Sequence, residues 1–179
     1  MSEEIPSKTE YVQIADEIRK MCDADQAMRL SAMERGGIIE NEEDGNIDIK
    51  HTERMKEIVQ LIGWPTVSKV GEDVSVMAWL LVQHADHDVE FQKKCLNLMK
   101  TQPEGEVSKR NIAYLEDRVR VNENRPQLYG TQFRGDTKET YGPKPIENPE
   151  HVDERRKEVG MESLEEYKQM LLNKFFSDK

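Results

Sequence analysis

This sequence predicts a mainly α fold, a single helical domain (1–179) built as a bundle around a long central helix. Three observations predict it. Apolar side chains recur at helical spacing through most of the 179 residues. Strand-like alternation is confined to one stretch dense in proline and glycine, residues 124–149. The length suits one domain with a sizeable core and leaves little room for a second.

The elements follow in order. Residues 8–34 carry Tyr11, Ile14, Ile18, Met21, Cys22, Met28 and Ala32 on one face, the pattern of a long amphipathic helix. Gly36 and Gly37 should stop it, and the acidic stretch from Glu40 to Asn46 reads as a loop. Residues 49–62 repeat the pattern with Ile49, Met55, Ile58, Val59 and Ile62, until Gly63, Trp64 and Pro65 break it. A third helix, expected from about Glu72 to Lys100, is the spine of the fold. Gln102 to Val107 form a turn, after which Ser108 caps a fourth helix through Asn122. Residues 124–149 are too rich in helix breakers for helix but leave room for a short β-hairpin, and a stretch this irregular suits a cover over a site. Helix resumes in His151–Val159 and Ser163–Phe176, with Gly160 between them.

Charge and composition exclude whole classes of function. Asp and Glu number 36 against 26 Lys and Arg, a formal charge of −10, so duplex nucleic acid and anionic membrane are not expected as main partners. A local basic pocket stays open. Mean hydropathy is −0.83, and no segment approaches the roughly 20 apolar residues that a membrane span needs. The first residues, MSEEIPSKTEY, carry acids where an export signal would carry a basic start and an apolar run. Cys22 and Cys95 lie among apolar neighbours and read as packed thiols in a reducing compartment. A cytoplasmic location is the expectation.

The most informative stretch is LLVQHADHDVEF, residues 80–91, where ionisable groups close the most apolar run of the chain. A helix turns about 100° per residue, so on a continuous 72–100 helix Met77, Leu80, Phe91, Cys95 and Leu98 fall within about 40° of His84. Asp88 falls there too. Asp86, Glu90, Lys93, Asn97 and Lys100 point the other way, and His87 sits on the border. The first helix repeats the arrangement: Asp25 is centred on its apolar stripe, with Arg29 four residues on. Two polar i,i+4 pairs thus interrupt two core stripes, and packing the stripes together would bring Asp25, Arg29, His84 and Asp88 into one recess. On the fourth helix Asp117 points away from the face formed by Ile112, Leu115 and Val119.

Such a recess would suit acid–base chemistry. An imidazole titrates near neutral pH and a neighbouring carboxylate orients it, which makes His84 the candidate acid or base. Arg29 would bind an anionic group, such as a carboxylate or phosphate, of a small molecule. Gln127, Tyr129 and Gln132 would add neutral hydrogen bonds from a loop laid over the helices. The competing reading is a non-catalytic interaction module whose ion pairs hold helices in register. A second alternative is a metal-dependent phosphohydrolase, for which His51, His87 with Asp88, and Asp117 imitate a scattered His, His-Asp, Asp order. That spacing is loose, so no metal and no cofactor are expected. The sequence has no phosphate-cradling glycine loop, no C-x-x-C pair and no G-x-S-x-G elbow, and neither cysteine has an activating context.

The stretches DADQAMR, GWPTVSKVG, VQHAD, AYLEDRV, PQLYGTQF and VDERRKEVGMESLEEY, taken in order from about Asp25 to Tyr167, resemble a family of mostly bacterial proteins of unknown function. Its recurring marks are D-Q-x-x-R, G-W-P, Q-H-A-D, Y-L-x-D-R and Y-G-T-Q. The resemblance implies no reaction. It points to Asp25, Gln26, Arg29, Gln83, His84, Asp86, Asp117, Arg118, Gln127, Tyr129 and Gln132, and so stresses Asp86 where the helical bearings favour Asp88.

Overall fold

The computed structural model describes residues 7–34 and 42–176. Its secondary structure is mainly helical, with one small two-stranded sheet, in line with the fold class read from the sequence. Backbone contacts divide the chain into two compact units, Met1–Val107 and Ser108–Lys179. No helix among the described residues is long and apolar enough to cross a membrane.

The first unit begins with α1 (Lys8–Glu34), whose buried face is Ile14, Ala15, Ile18, Met21, Cys22, Asp25 and Ala32. The glycine pair expected to end it lies outside the described residues. α2 (Glu42–Ile62) starts earlier than the polarity of its first residues suggests. The expected loop is corrected over residues 42–46, which are helical: acidic residues read as solvated chain, but Glu is also a good helix former. Gly63 at φ 68° and a short helix α3 (Val67–Val70) follow, and then α4 (Glu72–Gln83). α4 packs on both α1 and α2, and the three bury Ile18, Met55, Ile58, Val74, Ala78 and Val82 almost completely.

The continuous spine from Glu72 to Lys100 is corrected as well. It is two helices, α4 and α5 (Val89–Lys100), broken at residues 84–88. Local polar chemistry builds the break. The Asp88 carboxylate accepts the Phe91 N–H at 2.9 Å and caps α5, while the buried Gln92 amide donates to the last carbonyls of α4, Val82 O at 3.1 Å and Gln83 O at 3.3 Å. Apolar periodicity carries no information about either bond. Asp88 also pairs with Lys56 at 2.7 Å, and both partners hold its carboxyl below the ordinary carboxylate range. Asp88→Ala should therefore lower stability by about 1 kcal/mol. Urea denaturation measures it, and an unchanged midpoint would remove the cap from the account of this break.

The second unit opens with α6 (Lys109–Asn122), capped by Ser108 as expected. The proline- and glycine-rich stretch does hold an antiparallel pair, β1 (Phe133–Arg134) with β2 (Gly142–Pro143), and a parallel bridge joins Gln127 to Ile146. A 3-10 turn at Pro149–His151 leads into α7 (Val152–Glu158), and α8 (Leu164–Phe176) closes the unit. Gly130 sits at φ 69°, where a Cβ would stand 2.7 Å from Leu164 Cδ1 and 3.0 Å from Ile146 Cδ1, so a side chain there would strain the backbone and force Leu164 to shift. Arg156, 1% exposed, donates to Tyr129 O and Glu162 O, each at 2.6 Å, and lies over the Tyr167 ring.

Candidate functional site

Asp25 is fully buried on α1 and is the centre of a polar cluster. Its Oδ1 stands 2.9 Å from His84 Nδ1, at the C-terminal end of α4. Arg29, one helical turn on, donates from Nε to both Asp25 oxygens at 3.1 and 3.3 Å. Gln26 donates to Oδ2 at 2.7 Å. The Arg29 guanidinium also reaches Asp48 Oδ1 on α2 at 2.7 Å, so two carboxylates flank one cation. Three helices therefore supply the cluster.

The proton on His84 follows from this geometry. Two acceptors cannot face each other at 2.9 Å without a hydrogen between them, so Nδ1 carries it and donates to Asp25. The 3.0 Å approach of Arg29 Nε to Nδ1 is then a close contact imposed by the shared carboxylate. Nε2 makes no hydrogen bond among the described residues. The His84 side chain is 16% exposed while Asp25 is at 1%, so a buried acid orients a ring that solvent still reaches. Burial pushes the Asp25 carboxyl up, but hydrogen bonds from His84 and Arg29, together with their charges, outweigh it and hold the group at about 2.

Two members of this neighbourhood were not assigned to it from the sequence. Asp48 falls on the buried stripe of α2, within about 40° of Thr52, Met55, Val59 and Ile62, and extending the periodicity back one turn would have found it. His51, three residues further along the same helix, has its buried Nδ1 without a hydrogen-bond partner. Burial lowers its pKa, and the nearby charges of Asp25 and Asp48 oppose that shift.

Asp88 caps α5, because the break at residues 84–88 resets the helical bearings that placed it on the stripe. Asp86 is exposed in the same break, where it accepts a bond from Gln92 at 3.3 Å. Gln83 is buried next to His84, with its side-chain nitrogen unpartnered. His87 is exposed. Asp117 belongs to the second unit, where its two oxygens accept the backbone N–H groups of Leu128, Tyr129 and Thr131 and the Thr131 hydroxyl, at 2.7–3.2 Å. Gln127, fully buried, donates to Gln132 O and Lys144 O and accepts from Gln132 N. Gln132 also accepts from Arg118 at 3.4 Å and donates to Thr131 Oγ1 at 3.1 Å. Tyr129 is half-buried, and burial raises its phenol pKa. These five residues are thus tied into the loop of the second unit itself. Asp88 is thus committed to a cap and Asp117 to that loop.

The cysteines are ordinary core residues. Both are buried and free, and burial raises Cys22 and pushes Cys95 up to about 12, leaving no thiolate for nucleophilic chemistry. One further grouping stands out among the described residues: Asp25, Asp48 and His84 each offer a metal-ligand atom, and the three atoms lie within 4.8 Å of one another.

No curated protein and no solved structure matches the chain. A family model does, over residues 12–177, which takes in every residue of the cluster and of the Asp117 loop. The chain belongs to the family described as "Family of unknown function (DUF6624)".

Proposed function

We propose that the first unit is a small-molecule site in which His84 moves protons, most simply in a hydrolytic reaction. One observation carries the reading: a fully buried carboxylate fixes the ring through Nδ1, while the His84 side chain stays partly open to solvent and its Nε2 makes no hydrogen bond among the described residues. A base held this way accepts a proton from water as the water attacks an electrophilic carbon or phosphorus, and the imidazolium formed, stabilised by Asp25, returns that proton to the departing alcohol or amine as its bond to that centre breaks. The substrate reacts here through a neutral, polarised group. Arg29 is already matched by Asp25 and Asp48, so the cluster itself favours no anion. Two buried free cysteines suit a reducing, cytoplasmic setting.

The test is a panel of small esters, amides and phosphoesters assayed with the wild type and with His84→Asn. The expected result is a turnover that falls about 100-fold or more in the variant, with an unchanged melting temperature. Equal turnover in the two proteins, or a melting temperature lowered by many degrees, would turn the cluster into a structural ion-pair network.

A second reading rests on the three converging ligand atoms. Two carboxylates and an imidazole suit a divalent cation, which would take the place the Arg29 guanidinium holds among them. Calorimetry with Mn²⁺ and Zn²⁺ separates the readings: this one requires binding that weakens in Asp48→Asn and strengthens in Arg29→Gln.

A further inference from the structure

The acidity of the chain is not evenly spread. Residues 1–107 hold 22 Asp and Glu against 12 Lys and Arg, whereas residues 108–179 hold 14 of each. The whole net charge of −10 thus belongs to the first unit, and the exclusion of anionic partners drawn from it does not extend to the second. The second unit contains a groove of about 340 Å³ whose walls include Val121, Arg125, Pro126, Arg134, Lys144 and Pro145. That volume is in the range of small-molecule sites.

We propose that this groove binds a small organic molecule through a phosphate monoester group. Three cations line it and no acid does. Arg125 is balanced by Glu123 at 2.7 Å, but Arg134 and Lys144 make no ion pair and no side-chain hydrogen bond among the described residues. Two unmatched positive charges gathered in one concave place repel each other unless an anion joins them. The surplus of two matches the charge of roughly −1.5 to −2 on a phosphate monoester at neutral pH, and guanidinium groups fit phosphate oxygens two at a time. Val121 and the two prolines give an apolar wall for the organic part.

The frame is already fixed. Lys144 follows β2 with its N–H bonded to Gln132 O at 2.9 Å and its carbonyl accepting the Gln127 amide at 2.8 Å. Arg134 stands on β1 opposite Gly142. On the other wall, Arg120 donates to Pro126 O at 2.7 Å, and Arg125 N donates to Arg120 O at 2.8 Å. The cations therefore project from backbone held by two buried side chains, Gln127 and Arg120. Binding would order three side chains and little else.

Phenyl phosphate is the probe, titrated by calorimetry and by amide chemical shifts, with benzoate and a short single-stranded RNA as comparisons. We expect saturable binding of phenyl phosphate that is tighter than that of benzoate and weakens with salt, with shifts centred on Arg134 and Lys144. Arg134→Gln with Lys144→Gln, neither of them buried in the core, should raise Kd at least tenfold, while His84→Asn binds as the wild type does. The proposal is overturned if phenyl phosphate does not saturate, if the double variant binds it equally well, or if the shifts centre on Arg29. Tighter binding of the RNA than of phenyl phosphate, lost in the same double variant, would overturn it in favour of a nucleic-acid surface. None of these outcomes depends on catalysis at His84.

Discussion

Asp117→Ala should unfold the second unit or bring it to the edge of unfolding. The wild-type carboxylate is fully buried and accepts three backbone N–H groups and one hydroxyl. Alanine has no acceptor, and the loop from Leu128 to Thr131 has no second partner for those groups without coming apart. A buried donor left unpaired costs about 1–3 kcal/mol. Three or four together amount to about 4 kcal/mol even near the low end, a large share of the 5–15 kcal/mol that usually stabilises a folded protein. Asp117→Asn keeps the shape but turns one acceptor oxygen into a donor facing N–H groups, and about half the loss is expected. Hydrogen exchange at the amides of Leu128, Tyr129 and Thr131 reads the effect directly. Protection retained in Asp117→Ala, with stability within about 1 kcal/mol of wild type, would show that the loop stands without its carboxylate.

This residue also shows how far the sequence can be read. The helical bearings put Asp117 off the face of Ile112, Leu115 and Val119. They could not show that it is buried regardless, because what covers it is the backbone of a loop, and N–H groups leave no mark in a hydrophobic pattern. The same limit explains the break at residues 84–88. Periodicity assumes that the helix continues, whereas Gln92 and Asp88 end one helix and start another through bonds that leave no trace in an apolar pattern. His84 lies before the break and Asp88 after it. Stripe arithmetic therefore brought His84 to Asp25 and Arg29 but misplaced Asp88. Where core burial decides, as for Ile14, Ile18, Met21 and Cys22 on α1 and Met55, Ile58, Val59 and Ile62 on α2, the pattern was legible, but Ile49 proves exposed, and on α4 Val74, Ala78 and Val82 fill the core while Met77 and Leu80 are only half-buried. The unmatched charges of Arg134 and Lys144 were not, since their surroundings depend on how two short strands pair.

The largest effect in the first unit is expected from Asp25, and pH gives it a signature of its own. Asp25→Asn removes the charge that Arg29 and His84 share, and breaking one partner out of a buried pair costs about 3–5 kcal/mol. Because Asp48 still holds Arg29, the low end, about 3 kcal/mol at pH 7, is expected. The wild-type carboxyl is held at about 2 against an ordinary 3.8, so the folded state binds this proton less readily than the unfolded chain does. Its contribution is therefore fully present above pH 3.8 and is lost as pH falls toward 2, a change of about 2 kcal/mol. His51 acts in a separate window. Its pKa is lowered from 6.5, so its neutral form favours the fold and stability declines as pH drops below that value. Asp25 opposes the lowering, and its removal should depress the His51 pKa further. The stability–pH curve of Asp25→Asn is thus expected to fall more below pH 6.5 than the wild-type curve and to run flatter between pH 4 and pH 2. Urea denaturation across pH 2–8 tests both limbs. A variant whose acid limb is as steep as that of the wild type would show that Asp25 carries no stabilising charge, and the orienting role assigned to it at His84 would fall with it.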